Sequence, residues 1–286
     1  MGLQIATLAD TPIEVIHRVF KEAFADYEIE VSLSLEAFRE MMVVRDLDST
    51  YSVGCFDAGQ LVGFIICGHR LIHGQTCLYD GGTGVIQRYR HQGLGTLMLK
   101  YLIEIVRHQE KGCFVLEVLE HNTAAIELYL KHGFRIRRRF DCLAIQKEAV
   151  RTCEAGPYSI DTDITGYQTI DPSHFLDCPP SWQNDQVSVM NALDAFGYVC
   201  IRYQGLAIGY GLIQKRKGDI PQLGVLPTWR GRHIEELILN RLMDQTSSGR
   251  ITLLNVDQDD GLGTVLRSIG FQVFICQYEM EWTENS

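Results

Sequence analysis

The chain has 286 residues, 46% of them hydrophobic, and a formal net charge of −10 at pH 7. That is enough chain for one large globular domain or two of average size. The acidic balance argues against nucleic acid as a partner, and the lack of any apolar run of spanning length argues against a membrane-embedded protein.

In chain order, the opening stretch Met1 to Asp10 lacks the basic start and apolar core of an export signal, so the expected location is cytoplasmic. Ile13 to Ala25 has helical spacing, and Leu35 to Val44 reads as a second helix with Ser34 as its N-cap. Tyr51 to Phe56 and Leu61 to His69 read as strands joined at the turn signal Asp57-Ala58-Gly59. Thr76 to Val85 is a further strand, interrupted by Gly81, Gly82 and Gly84. Leu94, Leu97, Met98, Tyr101, Leu102 and Ile105 mark one face of a helix. Cys113 to Leu119 is a strand; Asn122 then caps a helix to about Lys131, with Gly133 at its end and a last strand pair from Phe134. The basic run Lys131 to Arg139 reads as a strand whose alternate arginines face water, or else as a docking patch for phosphates. This order predicts an α/β (α+β) fold with a mixed, mostly antiparallel central sheet flanked by helices.

The rhythm then repeats. Val85 and Arg90 before a helix are echoed by Val225 and Arg230; Leu116-Glu117-Val118 ending in Gly133-Phe134 is echoed by Leu254-Asn255-Val256 ending in Gly270-Phe271. The hairpin from Phe56 to Phe64 has a counterpart from Tyr203 to Tyr210. Two domains are expected, 1–148 and 157–286, with a linker at 149–156 that has no period and ends in the breaker Gly156-Pro157. The nine cysteines are scattered singly with no paired Cys/His spacing, so free, mostly packed thiols and no metal site are expected.

The segment Arg90-His91-Gln92-Gly93-Leu94-Gly95-Thr96 follows a strand and opens a helix. Glycines at 93 and 95 let an anion approach the backbone, and the unpaired N–H groups and dipole of the helix start favour a phosphate. Arg90 either adds a charged hydrogen bond or braces the loop. No Gly-Lys-Ser/Thr follows, which excludes a P-loop, and the third glycine of a dinucleotide fingerprint is absent.

Val85-x-x-x-x-Arg90-x-x-Gly93-x-Gly95, followed by Leu116-Glu117-Val118, Asn122, Ala125, Leu128-Tyr129 and Gly133-Phe134, resembles the GNAT (Gcn5-related N-acetyltransferase) superfamily. The resemblance covers essentially all of 1–148 and returns in weakened form over about 157–283. It implies two GNAT-like domains and acetyl-CoA as co-substrate. The pyrophosphate would sit on Arg90, His91, Gln92, Gly93, Leu94, Gly95 and Thr96, and the pantetheine arm along the strand near Gly84 and Val85, where a backbone N–H polarises the thioester carbonyl. Asn122 matches an asparagine that touches the cofactor arm, and Tyr129 the tyrosine that protonates the departing thiolate. Leu116-Glu117-Val118 with Asn122 and Leu128-Tyr129 looks especially like the ribosomal-protein alanine N-acetyltransferases. There the strand glutamate is the proposed base, which points to Glu117. Asp80 is the second base candidate. Phe24, Tyr27 and Phe38 fall where acceptor pockets form in the family, although core packing explains them as well. His69, His73 and His91 lack motif support.

The second half departs where it matters: Gly93 aligns with His233, Gly95 with Glu235, Glu117 with Leu254, Asn122 with Asp259 and Tyr129 with Leu266. A glutamate in the pyrophosphate loop would repel the cofactor. Residues 157–286 therefore read as a degenerate, non-catalytic copy, with Trp182 and Trp229 in its own core or at an interdomain contact. The expected activity is acetyl transfer to a primary amine on a small molecule or peptide. The alternative is a non-catalytic acetyl-CoA sensor or scaffold whose C-terminal domain binds a partner. The acceptor, the oligomeric state and the choice of acetyl over a longer acyl donor are not readable from sequence.

Overall fold

The computed structural model describes residues 2–26, 33–72, 74–108, 112–150 and 156–284. The chain divides into two compact units: 1–137 together with 278–286, and 138–277.

The first unit runs β1 (Gln4–Thr7), α1 (Ile13–Ala23), α2 (Leu35–Val44), β2 (Val53–Asp57), β3 (Gln60–Ile72), β4 (Gln75–Val85), α3 (Leu94–Arg107), β5 (Cys113–Leu119) and α4 (Thr123–Lys131), and then enters β6 (Arg135–Gln146). Strands β1 to β4 pair antiparallel in chain order, while β4 and β5 pair parallel over Cys77–Asp80 and Cys113–Leu116. The crossover through α3 makes that parallel pair possible. The β2–β3 hairpin turns at Ala58 and Gly59, both with positive φ, as a tight two-residue turn requires. Ser34 caps α2 by accepting from the Ala37 N–H, and Asn122 caps α4 by accepting from the Ala125 N–H.

The second unit contains the rest of β6, β7 (Ser159–Asp161), the short helix α5 (Gln186–Met190), β8 (Phe196–Tyr203), β9 (Leu206–Gln214), β10 (Leu223–Val225), α6 (Ile234–Met243), β11 (Arg250–Asp257), α7 (Gly261–Ile269) and most of β12 (Gln272–Thr283). Strands β10-β9-β8-β7 form one antiparallel set, and β11 pairs antiparallel with β6. A single parallel bridge, Asp219 to Thr252, stands where the first unit has a four-residue parallel pair. Its core gathers Val199, Ile201, Ile208, Ile238, Leu242 and Ile251, and Trp229 packs at its edge on Tyr158 and Tyr203.

Three expectations are revised. The compact units do not follow the linear division at 149–156, because the last strand leaves the second unit at Tyr278 and its end lies beside β5 in the first. There Trp282 covers Gly133, whose φ is +90°, and the Tyr278 hydroxyl donates to Glu120. The cysteines are not all free: Cys77 and Cys113 form a disulfide. They are directly opposed in the parallel register, a proximity that pairing of distant strands creates and sequence spacing hides. The arginine run does not simply face water. Arg138 donates to the Pro179 carbonyl and to Asp257, and Arg139 pairs with Asp141, because β6 is flanked by acidic partners.

Candidate functional site

The site grows from the point where β4 and β5 part. Their pairing ends at Asp80 and Leu116. The register sets Tyr79 beside Val115 and Asp80 beside Leu116, so alternation sends Tyr79, Val115 and Glu117 to one face and Asp80 to the other. Gly84 faces Ala23 of α1 and Gly63 faces Met98 of α3, which identifies the first face as the α1 side and the second as the α3 side.

Each face carries a carboxyl–tyrosine pair. On the α1 side the buried Tyr79 hydroxyl donates to Glu117 Oε2, and Glu117 is half-buried. On the α3 side Asp80, 6% exposed, accepts from the Gly82 N–H at 2.9 Å, the Thr83 hydroxyl at 2.6 Å and the Tyr129 hydroxyl at 3.0 Å. The ladder slips between Ile66 and Cys67, so Gly81 bulges out against Leu47, and the extra residue lets Asp80 reach its own downstream backbone. Burial pushes the Asp80 carboxyl above its usual value although its three donors pull it down. Burial, reinforced by the Asp80 charge, pushes the Tyr129 phenol well up, so it stays protonated through neutral pH. Tyr79 is pushed up likewise, by burial first and then by Glu117.

The proposed anion loop lies at the start of α3. Gly93 is its N-cap at φ +79°, with no side chain capping the first turn, so the leading N–H groups stay available. His91 is also left-handed, at φ +60°, and is exposed, as is Gln92, whose amide donates to the Arg88 carbonyl. Leu94 is buried, and Thr96 is half-buried in the first turn. A Cβ on Gly95 would stand 3.3 Å from Leu128 Cδ2, so that glycine also serves the packing of α3 on α4.

Arg90 braces this loop. Its guanidinium donates to the Val85 and Ala23 carbonyls and makes a two-pronged pair with Asp26. The Asp26 carboxyl is held below its usual value chiefly by the hydrogen bond from Arg90. The second unit repeats the arrangement: Arg230 donates to the Val225 and Phe175 carbonyls and to Asp177, and the turn before α6 is left-handed at Gly231 and His233. Glu235 is buried in the first turn of α6. The α7 cap is Asp260, one residue past the aligned Asp259.

The remaining residues fall as follows. Phe38 is fully buried and packs in an aromatic cluster with Phe20 and His17, while Phe24 packs on Phe20 and Phe64. Tyr27 and His73 lie outside the described residues. His69 stacks on Tyr51. Asn122 spends its side-chain oxygen on the α4 cap, leaving any cofactor contact to its amide group. Sequence reasoning missed Tyr79, Thr83 and Asp26. Tyr79 was marked only by alternation against Glu117, and Asp26 only by its echo in Asp177. Between β10 and β11 the second unit has a cleft of about 40 Å³, lined by Leu176, Cys178, Gln222, Leu254 and Asp260 among others. There Gln222 donates to the Asn184 carbonyl and Asn184 donates to the Leu254 carbonyl, so the chain itself bridges the gap between the strands. Among the described residues no group of His, Cys, Asp and Glu is placed to hold a metal ion, and no helix is long and apolar enough to cross a membrane.

Residues 13–134 match the family model described as the acetyltransferase (GNAT) family. No curated protein matches the chain. Among solved structures, the chain is similar to a GCN5-related N-acetyltransferase from Sphaerobacter thermophilus, at 19% identity and TM-score 0.74, with 98% of this chain and 95% of that one covered. A putative acetyltransferase from Pyrococcus horikoshii is 16% identical at TM-score 0.68, with coverage of 99% and 90%. A tandem GNAT protein from the clavulanic acid biosynthesis pathway is 12% identical at TM-score 0.71, with coverage of 99% and 98%. At these identities the likeness speaks to the fold, and it extends over nearly the whole chain.

Proposed function

We propose that the first unit, whose residues 13–134 match the acetyltransferase (GNAT) family model, transfers the acetyl group of acetyl-CoA to a primary amine. The observation that carries this is the parting of β4 and β5, with Tyr79–Glu117 on one face and Asp80–Tyr129 on the other. A base on one face and a proton donor on the other suit a reaction in which amine and thioester meet between the strands.

In this reading the pyrophosphate lies on the uncapped start of α3, residues 91–96, held in shape by Arg90, and the pantetheine arm follows Gly84 and Val85. The acceptor ammonium gives an N–H proton to Glu117, which later releases it to solvent. The free amine attacks the thioester carbonyl; the C–N bond forms and the C–S bond breaks. Tyr129 gives its proton to the leaving sulfur and regains one from the amide nitrogen of the adduct. Asp80 holds the Tyr129 hydroxyl in place, and its three donors leave Glu117 the better placed base. No covalent enzyme intermediate is needed, because holding both substrates together supplies much of the acceleration. The second unit is a non-catalytic copy in this reading, supported by Glu235 at the loop and by Asn184 across the strand gap. The test is thiol release from acetyl-CoA against a panel of amines. Turnover with one amine class, lost in Tyr129→Phe, is the expected result. Undiminished turnover in that variant removes Tyr129 from the mechanism.

A further inference from the structure

We propose that Tyr79 is the positioning residue that sets the working pH of the base: its hydroxyl holds Glu117 Oε2 and keeps the carboxylate ionised and aimed at the gap between β4 and β5. The inference rests on the reading of Glu117 as the base. The two side chains come from adjacent parallel strands, on one face, at the last paired turn before the strands separate. Tyr79 is 2% exposed, so its ring is fixed by packing and its hydroxyl direction is set by the core. A phenol that donates to a carboxylate stabilises the charged form of that carboxylate and opposes its protonation. The phenol itself is pushed well up by burial and by the Glu117 charge, so it remains a donor across the range in which an amine acetyltransferase would work.

Several charged groups around the pair have partners of their own. Asp80 lies on the opposite face and is occupied by Gly82, Thr83 and Tyr129. From the end of α2, Arg45 lowers the Tyr79 phenol electrostatically, and Asp46 is paired with Arg70 of β3. His69 of β3 is stacked on Tyr51. At the end of β5, Glu120 accepts from Tyr278, and Glu279 of β12 is paired with Arg137. Tyr79 thus acts through Glu117; in this scheme it touches neither acetyl-CoA nor the amine.

The direct test is a titration of the Glu117 carboxyl in the free protein by difference infrared spectroscopy, with Glu117→Gln as the subtraction. Tyr79→Phe is expected to move its midpoint up by about one pH unit. Replacement of Tyr79 by 3,5-difluorotyrosine, a stronger donor of the same shape, is expected to move it down. Acetyl-CoA binding by calorimetry confirms that each variant is folded. In turnover, the acid limb of kcat/KM should follow the same two shifts while KM for acetyl-CoA stays constant. A midpoint that does not move in either variant overturns the inference. Absence of turnover in the wild type with every amine overturns the reading of the site instead, and the infrared titration still decides the role of Tyr79.

Discussion

The Tyr129 phenol and the Asp80 carboxyl share one hydrogen bond in a buried pocket; the Asp80 charge makes the phenol harder to ionise, while the phenol's donated hydrogen bond makes the carboxyl easier to ionise. Tyr129→Phe keeps the ring on Phe134 but removes the proton that the proposed mechanism gives to the leaving sulfur. Thiol release should fall about 100-fold, within the usual range for a general acid, with acetyl-CoA affinity little changed. Calorimetry beside the kinetics separates the two. An unchanged rate would leave Tyr129 as a core residue. Glu117→Gln should cost a similar factor near neutral pH and flatten the acid limb of the profile. Asn122→Ala removes an α4 cap and should lower stability by about 1 kcal/mol, measured by urea denaturation.

At the scale of elements, the loop before α3 is shaped by a clamp rather than by its glycines alone. The Arg90 guanidinium ties the ends of β4 and α1 together through Val85, Ala23 and Asp26. Asp26→Asn should leave the fold intact but weaken acetyl-CoA binding several-fold, with the loss seen in calorimetry. The pH dependence has a definite sign. Asp26 is held below 3.8 in the folded chain, so its contribution is complete above that value and is lost as the pH falls through the lower, folded value. Gly95→Val would press a side chain on Leu128 where α3 packs on α4. Much of this was legible in the sequence. The Ser34 and Asn122 caps, the strand Cys113–Leu119 and Gly133 at the end of α4 all follow from local chemistry. The Arg90–Asp26 and Tyr79–Glu117 bonds were not. They join residues 64 and 38 positions apart, and only strand register and helix docking bring them together.

For the whole molecule, the chain order and the compact units disagree. The first unit holds residues 278–286, so its sheet is finished by the last strand of the chain. Truncation after Gln277 removes Tyr278 from Glu120 and Trp282 from Gly133, and should destabilise the first unit although no residue of the loop before α3 is touched. Thermal melts monitored on the first unit would show it; an unchanged melting temperature would mean that the strand end is dispensable. The Cys77–Cys113 disulfide closes a sequence separation of 36 residues, and its reduction should cost the first unit about 3–4 kcal/mol by loop entropy. Denaturant melts with and without reductant check that figure. The two arginine clamps and the two positive-φ hairpin turns show that the halves share a backbone plan, while Glu235 and the Asn184 bridge set the second apart. The most direct test of the central claim is acetyl-CoA calorimetry on the full chain, followed by thiol release with an amine panel. The account predicts one binding site, weakened by Asp26→Asn, and turnover with one amine class. No acetyl-CoA binding at all would contradict it.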